Sequence, residues 1–274
     1  MAQRTIDTRP GVTLATTAEG EGPAVVLLHG LTASRRYVVM GSSTLQRTGH
    51  RVVSYDARGH GASSPAPAPD DYSYAELGGD LTVVLDTLEI DRAVLAGVSM
   101  GAHTALRLAL ELPERVGAIV AITPAFDPVE YADPGRLARW DALSDALRSG
   151  GIEGFAEAFG LQRIPAGWRE TVGRALRQRM AVHEHLDAVA DALRAVPRSA
   201  PFADLHALEQ IECPVLVIGS RDDADPAHPL QIAQRYAELL PRGRLAVEEE
   251  GRSPLAWQGG RVSKLIAEVV TQAG

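Results

Sequence analysis

The stretch whose reading decides the fold is Ala93-Val94-Leu95-Ala96-Gly97-Val98-Ser99-Met100-Gly101, continuing as Ala102-His103-Thr104-Ala105-Leu106-Arg107-Leu108-Ala109-Leu110. Its first part is an apolar run the length of a buried strand, and its second, rich in Ala and Leu, reads as a helix. Between them lies Gly97-Val98-Ser99-Met100-Gly101, the pattern Gly-x-Ser-x-Gly. A serine on so tight a strand-to-helix turn sits on strained backbone and needs small neighbours, because the flanking chain packs close to it. The N-terminus of the following helix brings unpaired N–H groups and a positive dipole end toward developing negative charge. Alone, such a pattern recurs by chance in glycine-rich chains; between strand and helix it makes Ser99 a candidate nucleophile.

Working outward toward the N-terminus, Ala24-Val25-Val26-Leu27-Leu28 reads as a central strand buried on both faces. It ends at His29-Gly30-Leu31-Thr32, where glycine permits a sharp turn that exposes the next backbone N–H; His29 reads as structural rather than as a base. Val12 to Thr16 alternates like an edge strand, and Arg51 to Tyr55 is a further strand running into Asp56-Ala57-Arg58-Gly59-His60-Gly61-Ala62-Ser63. Ser73-Tyr74-Ala75-Glu76 matches a capping box. Leu77, Leu81, Val84, Leu85 and Leu88 follow at helical spacing as one core-facing stripe, while Gly78 and Gly79 imply a neighbour packed close against that helix.

Toward the C-terminus, Ala118 to Ile122 is the next strand. From about residue 125 to 201 short helical pieces follow (136–147, 152–159, 168–180, 185–196), broken by Pro and Gly. Trp140, Phe155, Phe159 and Trp168 read as the core of that segment. His183 and His185, two apart, fall on different helix faces and do not suit a metal pair. The sheet resumes at Pro214-Val215-Leu216-Val217-Ile218-Gly219, followed by Ser220-Arg221-Asp222-Asp223-Ala224-Asp225-Pro226, a helix over 231–240 and a last strand over 244–247.

With 274 residues, 45% of them hydrophobic, the chain can bury a large core in one α/β domain carrying an insertion. A net charge of −8 argues against a general nucleic-acid binder. The single cysteine, Cys213, excludes an intrachain disulfide and a multi-cysteine zinc site, and reads as a small buried residue. Residues 1–7 lack an apolar signal-peptide core, and no apolar run approaches the ~20 residues that span a bilayer. The expectation is a cytoplasmic protein with neither nucleic acid nor membrane as partner.

His29-Gly30, the 56–63 segment and the 97–101 elbow occur in the order and spacing of the α/β-hydrolase superfamily. From about residue 24 to 267 the chain resembles its serine esterase, lipase and perhydrolase-like branch. The resemblance implies an α/β architecture: a mostly parallel sheet with helices on both faces, a core of residues 1–124 and 202–274, and a helical lid over residues 125–201. It implies that His60 holds loops together, and that the triad acid lies in Gly219-x-x-Asp222-x-x-x-Pro226. Asp223 and Asp225 are near competitors for that role and Asp127 a more distant one. The backbone N–H groups of Leu31 and Met100 would then stabilise the oxyanion of a small-molecule ester or acyl substrate. The three close aspartates do not match an EF-hand loop, and no metal or organic cofactor is implied.

One departure stands out. After the last strand the family presents Gly-His, whereas here the loop reads Glu248-Glu249-Glu250-Gly251-Arg252-Ser253-Pro254, with no histidine beyond His228. A serine hydroxyl is a poor nucleophile without a positioned base, and arginine stays protonated. His228 is the provisional base, with His103 and His29 as geometrically demanding alternatives. Two other classes stay open: a binding protein holding an acyl or carboxylate ligand between Ser99 and Arg252, and a lyase or isomerase using the oxyanion site alone. A missing base predicts slow ester turnover that Arg252→His raises. A working His228 predicts robust turnover that His228→Ala abolishes.

Overall fold

The computed structural model describes residues 3–9, 11–131, 133–221 and 225–273. Among these, the strands β1 (Gln3–Arg9), β2 (Val12–Glu19), β3 (Ala24–Leu28), β4 (Arg51–Tyr55), β5 (Ala93–Val98), β6 (Val116–Ile122), β7 (Val215–Ile218) and β8 (Gly243–Ala246) form one sheet in the order β1-β2-β4-β3-β5-β6-β7-β8. The β1–β2 and β2–β4 pairs are antiparallel, and every pairing from β4–β3 to β7–β8 is parallel. The described helices are α1 (Thr44–Arg47), α2 (Tyr74–Thr87), α3 (Met100–Glu111), α4 (Pro128–Tyr131), α5 (Pro134–Phe159), α6 (Arg169–Met180), α7 (Leu186–Ala195), α8 (Leu230–Leu239) and α9 (Gly259–Ala273). None of them is long and apolar enough to cross a membrane.

Strand side chains point alternately to opposite faces, and the sheet uses both. Val26, Leu28, Leu95, Ile119 and Ala121 pack on one side with Leu81 and Leu85 of α2, Leu106 of α3 and Tyr236 of α8. Val25, Leu27, Val94, Ala96 and Val120 pack on the other with Leu45 of α1 and Val262, Ile266 and Val269 of α9. Covered on both faces, β5 and β6 are buried almost throughout, as parallel strands between two helical layers must be. The α/β architecture with helices on both faces is therefore present.

Local readings fare unevenly. Ser73 Oγ accepts the Glu76 N–H at 3.3 Å, as a capping serine does, and Leu77, Leu81, Val84, Leu85 and Leu88 are all buried. Of the two glycines expected to have a close neighbour, Gly78 is buried but not crowded and Gly79 is exposed. A Cβ at Gly78 would meet only Arg107 and Glu111 side-chain atoms at 3.9 Å, and one at Gly79 nothing within 4 Å. Strand β1 was not anticipated, because Arg4, Thr5 and Asp7 face solvent and, among its residues of described burial, only Ile6 is deeply buried. Cys213 is half-buried rather than fully enclosed.

Between β6 and β7 the described chain is helical. Its core joins Leu143, Leu147 and Phe155 of α5, Leu176 and Met180 of α6, and Val189 and Leu193 of α7, with Trp140 and Phe159 at the margin. Helix α5 breaks at Gly151, whose φ of 59° and ψ of −147° interrupt the helical backbone between the two expected pieces. Trp168 departs from expectation: it meets Trp257 edge-on at 5.8 Å instead of joining this core.

Candidate active site

The elbow is built by the close approach of three backbones. Ser99 sits at the C-terminal end of β5 with φ 48° and ψ −108°, a left-handed conformation that non-glycine residues hold only when their surroundings force it. Its N–H bonds to Ile122 O at 2.9 Å, and its own carbonyl accepts the His103 N–H at 3.0 Å, so α3 begins on the residue that follows it. A Cβ at Gly97 would stand 2.3 Å from the Gly101 backbone, and one at Gly101 2.2 Å from Leu28 O. The two motif glycines thus let β3, β5 and α3 converge beneath the serine.

Met100 opens α3, where an N–H has no carbonyl one turn back to meet. Among the described residues neither this N–H nor that of Leu31 has a hydrogen-bond acceptor. The turn carrying Leu31 lies against the serine, since a Cβ at Gly30 would be 3.6 Å from Ser99 Cβ. His29 braces that turn: Nδ1–H donates to Gly30 O and Nε2 accepts from the Ala57 N–H, each at 2.9 Å. His183, arriving from the helical segment, donates from Nε2 to Thr32 O at 3.2 Å and accepts the Gly61 N–H at Nδ1 at 2.8 Å.

The groups facing the serine come from one tight turn. Asp225-Pro226-Ala227-His228 closes with the His228 N–H on Asp225 O at 3.2 Å, and Asp followed by Pro is a favoured opening of a type I turn. His228 Nε2 stands 2.9 Å from Ser99 Oγ, and Nδ1 stands 2.8 Å from Asp225 Oδ2. Burial acts to raise the Asp225 pKa; the charge and hydrogen bond of His228, with attraction from Arg179, outweigh it and hold the carboxyl below its ordinary value. Asp225 therefore keeps the charge that orients the ring and fixes its tautomer.

The α/β hydrolase fold family matches residues 23–257, most of the chain. The chain belongs to this family. It is 32% identical over 232 residues to the RutD protein of Pseudomonas savastanoi pv. phaseolicola, which carries the name of a carbamate hydrolase, covering 84% of this chain and 86% of that one. It is 29% identical over 199 residues to 3-oxoadipate enol-lactonase 2 of Acinetobacter baylyi, covering 72% and 70%. A thermophilic esterase structure from Thermogutta terrifontis shares the fold at a TM-score of 0.82 and 24% identity, over 100% of this chain and 99% of that one. With these relatives the chain is a hydrolase of the α/β fold.

Against the usual layout of an α/β hydrolase, several expected residues lie elsewhere or do other things. Asp222, expected as the acid, lies outside the described residues, as does Asp223; Asp225, named only as a competitor, is the carboxylate that reaches His228. The signal for it was the Asp-Pro turn. Asp127 accepts the Val129 N–H at 2.9 Å and pairs with Arg235 at 3.3 Å. His103 is already committed: Nε2 accepts the Ala125 and Phe126 N–H groups at 3.1 Å and Nδ1 meets Tyr74 Oη at 3.0 Å. Burial pushes its pKa down to about 3, so it stays neutral. His60 is buried between His29 and His183, at ring separations of 5.2 and 5.6 Å, and Nδ1–H donates to Arg58 O. Arg252 stands 70% exposed with its Nε 3.5 Å from Glu249. Among the described residues no three His, Cys, Asp or Glu side chains converge as a metal site requires.

Proposed function

We propose that the chain is a serine hydrolase for carboxylic esters or related acyl compounds, with Ser99 as nucleophile, His228 as general base and Asp225 as the acid that orients it. The observation that carries the reading is the unbroken contact from Ser99 Oγ through His228 to Asp225, at 2.9 and 2.8 Å. Such distances suit proton transfer from a hydroxyl to a held imidazole. On this reading Arg252 fills the family's usual histidine position while the base comes from the loop after β7, so the triad is complete by another route.

In the reaction Ser99 Oγ attacks the acyl carbon as its proton passes to His228 Nε2. The carbonyl oxygen becomes an oxyanion held by the Leu31 and Met100 N–H groups, each such donor contributing about 3 kcal/mol. Collapse expels the alcohol, which takes the proton from His228. Water, deprotonated by the same imidazole, then attacks the acyl carbon, and the imidazolium returns that proton to Ser99 Oγ as the acid leaves. The helices between β6 and β7 act as the lid, since Leu31 packs against their core and Met100 packs with Ala188, Ala192 and Val196.

A fluorophosphonate probe tests the reading, because it reacts with an activated serine and not with an ordinary hydroxyl. Rapid labelling of Ser99, absent in Ser99→Ala and slowed in His228→Ala, is the expected result. Failure of the folded protein to label defeats the reading and returns Ser99 to a binding role.

A further inference from the structure

The turn Gly30-Leu31-Thr32-Ala33 closes on one backbone hydrogen bond, from the Ala33 N–H to Gly30 O at 3.0 Å. Within it Thr32 has a φ of 67°. A β-branched residue holds left-handed backbone only where its surroundings force it. Among the described residues the Thr32 carbonyl accepts from one group, the Nε2–H of His183 at 3.2 Å.

His183 reaches this turn from the connection between α6 and α7, 151 positions along the chain, and is buried. Burial pushes its pKa down to about 4, so near neutral pH the ring carries one proton. Two backbone groups decide where that proton sits. Nδ1 faces the Gly61 N–H at 2.8 Å, which can only donate, and Nε2 faces a carbonyl, which can only accept. The ring is a strut between Gly61 and Thr32. Its Gly61 end is fixed: a Cβ there would overlap the Asp56 carboxylate, which accepts the Ala62 N–H at 3.1 Å and the Arg35 N–H at 2.7 Å.

From Thr32 the constraint passes to Leu31 through two planar trans peptides, in each of which C=O and N–H point in opposite directions. The Thr32 carbonyl held by His183 shares its peptide with the Ala33 N–H, and that N–H holds Gly30 O. The Gly30 carbonyl shares its peptide with the Leu31 N–H, the proposed oxyanion donor beside Ser99. His29 Nδ1–H holds the same Gly30 carbonyl at 2.9 Å, so His183 is one of two supports.

We propose that His183 is a positioning residue for the reaction: through the Thr32–Ala33 and Gly30–Leu31 peptides it aims the Leu31 N–H, so that the segment between β6 and β7 completes the oxyanion hole. This inference rests on the acyl-hydrolase reading for the role of Leu31. The imidazole touches no reacting atom. It matters because a donor serves an oxyanion only within a few tenths of an ångström of the right place.

His183→Gln and His183→Asn separate the two ends of the strut. A glutamine amide can place its NH₂ where Nε2 stands and keep the bond to Thr32 O. An asparagine oxygen can replace Nδ1 and keep only the bond from Gly61. Acylation and deacylation both pass through an oxyanion and slow together. On 4-nitrophenyl acetate His183→Asn is therefore expected to lower kcat about tenfold or more with little change in KM, and His183→Gln to recover most of that loss. Thermal melting confirms that both variants are folded at the assay temperature. Equal kcat in the two variants, or a loss carried by KM, overturns the proposal, because either amide replaces a histidine that merely ties the segment down.

A second arm needs no turnover. Exchange of the Ala33 amide hydrogen, followed by NMR, reports the middle link of the relay. In the wild type it is expected to be slowed about a hundredfold or more against an unstructured peptide, and free exchange there overturns the proposal without any variant. Exchange about tenfold faster in His183→Asn than in His183→Gln sustains the proposal, and equal rates overturn it. If the wild type hydrolyses no ester, the acyl-hydrolase reading falls, and this arm alone decides whether His183 holds the turn.

Discussion

Ser99 and His228, 129 positions apart in the chain, meet at 2.9 Å between Oγ and Nε2. The contact joins the elbow after β5 to the turn before α8, and it bypasses the loop after β8 where the family usually keeps its histidine. If that contact is the working base, His228→Ala lowers kcat/KM on 4-nitrophenyl acetate by about 10⁴-fold or more, as loss of a triad member does. Arg252→His leaves the wild-type rate within about twofold, because the exposed Arg252 position is not needed for proton transfer. A wild type that is nearly inert and is accelerated by Arg252→His defeats this assignment.

The acid is separable from its neighbours by mutation. Asp225→Asn removes the charge that holds His228 Nδ1 and lowers kcat by about 10⁴-fold, whereas Asp222→Asn changes it little. Steady-state kinetics on the two variants decides between Asp225 and the aspartate at the family spacing.

Glycines at two places act in opposite directions. Gly101→Ala puts a methyl 2.2 Å from Leu28 O on a central strand, and destabilises the protein by about 3 kcal/mol or more, lowering the urea midpoint and displacing Ser99. Gly79 lies exposed within α2 with open space where a methyl would go. Gly79→Ala therefore stabilises by about 0.5–1 kcal/mol, a rise of about 2 °C in Tm, with activity unchanged.

Stability falls on the acid side of neutrality because the helical segment between β6 and β7 is docked by a neutral histidine, His183. Burial pushes the His183 pKa from 6.5 down to about 4. The unfolded chain binds that proton near pH 6.5 while the folded one resists it until about pH 4. Between those values the unfolded state holds more protons, and stability drops as pH falls. His183 alone accounts for about 2 kcal/mol of loss by pH 5. Denaturant titrations at pH 7.5 and pH 5 show the loss in the wild type and a smaller one in His183→Gln; identical losses in both exclude His183 as the source.

Several features were legible because they rest on neighbours in the chain. The apolar runs of β3, β5 and β6, the Ser73 cap and the glycines around Ser99 each answer to steric or hydrogen-bonding demands settled within a few residues. β1 escaped notice because an edge strand with Arg4, Thr5 and Asp7 exposed carries almost no apolar signal. Gly79 misled, because a glycine in a helix signals close packing only when something is there to pack, and Gly79 is exposed.

By itself, then, the order of residues determined the layered fold and the place of Ser99, since periodicity and turn chemistry are local. It also narrowed the partners of Ser99 to a few histidines and aspartates. Only the tertiary structure decided among them. His228 with Asp225, rather than His103, faces Ser99, because the end of β7 brings the Asp225–His228 turn over the end of β5, while His103 is held by the Ala125 and Phe126 N–H groups.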